Sequence, residues 1–159
     1  MNRRQKGRRR RRRTLQTWSI GQAEAAAPYI RSVLKSLREH HLEWQACQLE
    51  VQRLATRSGR PDRTALIAQR HASEEVERVA DRALEAADEL AALDVFTLDP
   101  GAGQALLPFV YEEQLAWYVF DLFDERKPLR YWRFDNDSPE TRRPITPLQK
   151  GEPGTVRVS

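Results

Sequence analysis

Ile30, Val33, Leu37, His40, Trp44, Cys47, Val51 and Leu54 follow one another at alternating steps of three and four residues, without a break. A strand cannot use that spacing, because its side chains alternate faces with a period of two. A helix places every one of these positions on a single stripe. A stripe this narrow and this long is the seam of one helix packed lengthwise on another. Ser58-Gly59-Arg60-Pro61-Asp62 then interrupts the pattern. Gly59 suits the residue just past a helix end and Asp62 suits an N-cap. From about Arg63 to Leu93 the same stepping resumes through Val76, Val79, Ala83, Ala86, Leu90 and Leu93. Two helices on the order of 40 Å long, joined by a short loop, predict an antiparallel hairpin.

The first helix has a legible start. Ser19 and Gln22 form a capping-box pattern, and Trp18 stands where it staples the first turn. Pro28 lacks a backbone donor and clashes with the preceding turn, so a kink or restart is expected there. After Leu93 the period changes. Val95 to Leu98, Leu106 to Tyr111, Leu115 to Phe123 and Leu129 to Asp135 are β-type runs separated by turn residues. Pro108 lies inside one of them and marks that strand as an edge or a broken one. Leu115 to Phe123 is apolar on both faces, which predicts a covered sheet or an oligomeric one. The fold class is therefore α+β, a long antiparallel helical hairpin followed by a small antiparallel β-sheet.

Charge divides the chain. Residues 1–13 hold Arg3, Arg4, Lys6, Arg8, Arg9, Arg10, Arg11, Arg12 and Arg13 and no acid. The whole chain has 27 basic and 23 acidic residues, so the remainder carries 18 basic against 23 acidic. A cationic tail on an acidic body follows, with residues 1–16 read as a disordered Arg-rich segment, 17–146 as the folded domain and 147–159 as an irregular C-terminal tail. Those nine charges suit RNA or DNA, bound without sequence preference and weakly at high salt. A solvated tail without a partner, or a translation start set too early, are the other readings of the same run. Cys47 is the only cysteine, so no internal disulfide exists, and a reducing, cytoplasmic setting is expected. No apolar run reaches the roughly 18 residues of a membrane span.

Together these residues resemble the bacterial DUF2203 family over roughly residues 17–146. The resemblance rests on Ser19-Ile20-Gly21-Gln22 through Ala27-Pro28, on Asp99-Pro100 and Leu107-Pro108-Phe109, on Tyr131-Trp132-Arg133-Phe134, and on Arg142-Arg143-Pro144-Ile145. It implies a helical hairpin followed by a small β region, in a family without an assigned activity. The chain departs from the family pattern at Asp121-Leu122, where the family has Cys-Trp, and at Arg133 and Phe134, where it has His and Glu. Any constellation built on those family residues is missing.

The remaining candidates are modest. Folding the hairpin about Gly59 and Arg60 sets Cys47 near Ala72 and His71 near Gln48, with Glu43, Glu74 and Glu75 a turn away. Such a set could ligate Zn²⁺ or Fe²⁺. A small buried Cys and a register-setting His are the commoner roles of such residues. The acids of the second helix read as a solvated face. The aromatic residues from Phe109 to Phe134 read as core against the hairpin, with base stacking as the other use. No phosphate loop, nucleophile elbow or His-Glu-x-x-His is present. The chain is thus expected to be a non-enzymatic interaction or oligomerisation domain without a cofactor. A homodimer or a protein partner along the hairpin is expected, with nucleic acid through the Arg tail as the alternative.

Overall fold

The computed structural model of the chain describes residues 13–146 and 154–158. A first strand, β1 (Arg13–Thr17), leads into α1 (Ile20–Ala55) and α2 (Arg63–Ala92). A meander of β2 (Gln104–Tyr111), β3 (Gln114–Asp121), β4 (Leu129–Phe134) and the short β5 (Arg143–Pro144) follows, and β6 (Gly154–Val158) closes the order. The two helices and the antiparallel four-stranded sheet, ordered β2-β3-β4-β5, are the α+β arrangement that the periodicity requires.

Helix α1 starts as its sequence dictates. Ser19 Oγ accepts from the Gln22 amide at 3.1 Å, and Gln22 Oε1 accepts from the Ser19 amide at 3.2 Å. Trp18 does more than staple: its amide donates to Pro108 O at 2.8 Å and its indole Nε1 to Leu93 O at 3.2 Å. One residue thereby ties the start of α1 to the sheet and to the end of α2. Asp62 caps α2 by accepting from the Ala65 amide at 2.8 Å.

Three expectations about backbone need correction. Helix α1 runs through Pro28 without a restart, because the flanking turns are held by tertiary packing that begins with Ala23 and Ile30, both fully buried. Gly59 is not the residue just past α1. The helix ends at Ala55 with Thr56 as its cap, and Gly59 supplies a φ of 97° in the loop beyond. Val95 to Leu98 contributes only an isolated bridge, Phe96 to Leu106.

A fourth correction concerns the tails. The boundary drawn at residue 16 falls inside β1, which pairs antiparallel with β6 from Arg13 opposite Val158 to Thr17 opposite Gly154. The segment 147–159 therefore contains a strand. Leu15 and Thr17 are buried while Thr14 and Gln16 are exposed, the alternation of a strand with one covered face. The neighbouring arginines concealed that four-residue pattern. The readings of residues 1–12 and 147–153 lie outside the described residues.

The core sits between the hairpin and one face of the sheet. Ala105, Leu107 and Phe109 of β2, Ala116, Tyr118 and Phe120 of β3 and Trp132 of β4 point to it. Ile30, Val33, Leu34 and Leu37 of α1 and Ala86 and Leu90 of α2 meet them. The rings of Phe109 and Tyr118 stack at 3.9 Å and 5°, and Trp132 stands edge-on to Phe109 at 5.8 Å. Pro108 is tolerated because β2 is an edge strand of the sheet.

Candidate functional site: the free arm of the hairpin

The sheet covers the hairpin over only part of its length. Contact between α1 and the sheet region continues through Arg38, whose Nε donates to Gly101 O at 3.0 Å, as far as His41, whose ring lies beside Gly101. Beyond that level, among the described residues, the two helices continue alone to the loop at residues 57–61, as a two-helix arm. Seam residues there are less well covered: Trp44, Cys47 and Val51 are half-buried, and full burial returns only at Leu54.

The two sides of the arm differ in chemistry. On α1 the row Ile30, Leu34, Leu37, His41, Gln45, Gln48, Gln52 climbs one side at steps of three and four. On α2 the row Leu66, Gln69, Ser73, Val76, Ala80, Ala83, Ala87, Leu90 descends the same side. Neither row holds an acid, a lysine or an arginine from end to end. Where the sheet lies over them they are Ile, Leu and Ala. Where it does not, they turn to Gln, Ser and Val, with Leu66 52% exposed. Gln48, Val51, Gln52, Ser73 and Val76 line a shallow groove of about 370 Å³ there, and Glu77 is its only charged lining residue. The charges gather elsewhere on the arm, in the pairs Glu50–Arg53, Arg70–Glu74 and Glu75–Arg78. Arg53 holds the Glu50 carboxyl below its usual range, chiefly through their hydrogen bond. Exposed pairs of this kind add solubility more than stability.

His40 is the polar interruption of the seam. Its Nδ1 is buried without a hydrogen-bond partner among the described residues, the nearest carboxylate being Glu43 at 3.8 Å. A buried polar atom left unsatisfied costs about 1–3 kcal/mol. His40→Leu should therefore raise stability by about 1 kcal/mol in chemical denaturation, a shift of roughly 2–4 °C in Tm. An unchanged or lower midpoint would show that His40 is satisfied in solution.

The candidate metal residues are placed differently from one another. Cys47 is half-buried on the seam of α1, while His71 is exposed on α2. Among the described residues no group of three or more His, Cys, Asp or Glu side chains could hold a metal ion. Of the Arg tail only Arg13 is described, as the first residue of β1. The aromatic cluster divides between the two faces of the sheet. Phe109, Tyr118, Phe120 and Trp132 are core, whereas Trp117 lies on the outer face, where Phe96 meets it edge-on at 5.6 Å. The uncharged rows of the arm were readable from helical spacing, but a seam-only reading looks between the helices and misses their flank. No described helix is long and apolar enough to cross a membrane. Comparison with protein-family models, with curated proteins and with solved structures finds no match to this chain.

Proposed function

We propose that the chain is a non-enzymatic self-association domain that pairs two copies through the uncharged side of the hairpin arm. The observation that carries this reading is the continuity of that side with the core. The rows that are sealed by the sheet at one end of the hairpin run on, without an acid, a lysine or an arginine, where no described residue lies over them. A second copy is the occupant that best suits such a face. A two-fold axis sets the same surface against itself, so a face of one charge would repel its copy and a largely neutral one does not. An antiparallel pairing of two arms makes a four-helix arrangement, with Gln side chains supplying hydrogen bonds across it.

Size sets the strength. The arm beyond His41 offers about 21 Å of helix length at ~1.5 Å per residue and about 20 Å of width for two helices. That footprint is at the small end of specific interfaces, so the dimer is reversible and concentration-dependent. Light scattering over a range of concentrations tests it: the mass should climb above that of one chain as concentration rises. A single-chain mass throughout would remove the reading.

The Arg run supports a second reading, a polyanion anchor on the same domain. RNA and DNA binding by residues 1–159 and 13–159 should be compared across salt. The shorter chain keeps β1 intact, so a difference reports on the tail and not on the fold. Binding confined to the full chain, with an affinity that falls steeply with salt, is the expected result. Equal binding by both would dismiss the tail as the anchor. Membership of the DUF2203 family remains a proposal on the residues quoted for it.

A further inference from the structure

Part of the outer face of the sheet, away from the hairpin, is flanked by two loops that line one pocket with Arg133. Leu106 of β2, Val119 of β3 and Arg133 of β4 point to that face, and all three are buried. Leu98, Asp99 and Ala102 come over them from one side, and Pro139, Glu140 and Arg142 from the other. Together with Gln104 they enclose a pocket of about 240 Å³.

Arg133 is 6% exposed, yet it has no ion pair among the described residues. Its Nη1 makes one long hydrogen bond, to Phe134 O at 3.5 Å. The acids around it direct their hydrogen bonds elsewhere, although the charge of Arg133 reaches Asp137 and Glu140 and that of Arg142 reaches Glu140. Asp135 accepts from Trp117, and Asp137 takes both the Arg143 guanidinium and the Phe134 amide. Asp99 accepts from the Gly101 amide, and Glu140 from the Ser138 hydroxyl. Arg142, the second guanidinium of the pocket, donates to Pro139 O, Thr141 O and Gln104 Oε1, all neutral acceptors. A guanidinium carries five N–H donors in a flat fork, and burying it unpaired is costly. A fork held so, beside a second cation and above an aliphatic floor, matches a planar anion with a short apolar body.

The geometry points to a binding site for a small aliphatic carboxylate, with its carboxylate on Arg133 and Arg142 and its body on Leu98, Leu106 and Val119. The volume is below that of pockets for drug-sized ligands, which run from about 300 Å³, and admits a molecule the size of leucine or isovalerate. The carboxylates of Asp99 and Glu140 line the same pocket and give an ammonium group a place beside the aliphatic chain. The site is independent of the arm and of self-association through it.

Isothermal titration of the full chain with isovalerate and with leucine, to about 10 mM, tests the site. Saturable binding of either supports it. Tighter binding of leucine adds Asp99 and Glu140 as ammonium partners, and tighter binding of isovalerate restricts the site to the carboxylate. Arg133→Met keeps the aliphatic stem and removes the fork, and it should weaken binding about 10- to 100-fold. Arg142→Gln, at a half-exposed position, gives the same direction of loss in a background whose folding does not depend on a buried residue. The ligand should raise the melting temperature of the parent and not that of Arg133→Met. No binding of either probe by the parent, or equal binding by the parent and both variants, would overturn the assignment.

Discussion

Phe109→Ala is expected to cost about 4 kcal/mol of folding stability, the largest loss of any single substitution considered for this chain. Phe109 is fully buried on β2, stacked flat on Tyr118 and edge-on to Trp132. Truncation leaves a cavity between the sheet and the hairpin that rigid strands and a long helix do not collapse into. It also removes an aromatic pair, worth about 0.5–1.5 kcal/mol beyond area. Val110→Ala is the internal control. Val110 is the next residue on the same strand, points to the opposite face and is 40% exposed, so its loss should be small. Denaturant titration measures both. Similar costs for the two would mean that the hairpin does not seal the face bearing Phe109.

Ser73→Glu is expected to abolish self-association while leaving the monomer folded. Ser73 is exposed on α2 and lines the groove with Gln48, Gln52 and Val76. Glutamate is a good helix former, so the helix tolerates it. Across a two-fold axis the substitution adds like charges to a face whose groove otherwise holds Glu77 as its one charged lining residue. Like-charge juxtaposition at an interface costs several kcal/mol, which weakens a dimer about 100-fold or more. Ser73→Gln has similar volume and no charge, and should leave association close to the parent's. Unfolding midpoints of the two variants at low concentration should agree, because the effect lies in the interface and not in the fold.

Much of the fold was legible because it rests on periodicity. The three-four stepping of Ile30 to Leu54, the stop at Ser58 to Asp62 and the Ser19–Gln22 box specify the hairpin before any packing is known. What failed, failed for physical reasons. The helix does not restart at Pro28 because tertiary packing holds the turns on both sides of it. The strand Arg13–Thr17 is stabilised by a partner at the far end of the chain, Gly154–Val158, and no local pattern reports so distant a pairing. The candidate sites were less legible. Spacing alone set Cys47 and His71 near one level of the hairpin, but a ligand set needs directions as well as levels, and His71 is exposed. The Arg133 pocket depends on two loops, around Asp99 and around Glu140, that are about forty residues apart in the chain. Arg133 in Tyr131-Trp132-Arg133-Phe134 was visible as a charge in a strand, and only the loops over it show that it is buried.

Sedimentation equilibrium of the parent chain and Ser73→Glu, run side by side over a range of concentrations, tests the central claim most directly. The account predicts that the parent rises from 18.5 kDa toward twice that mass, while Ser73→Glu stays at 18.5 kDa throughout. A parent that stays at the single-chain mass, or a variant that associates as the parent does, would contradict it.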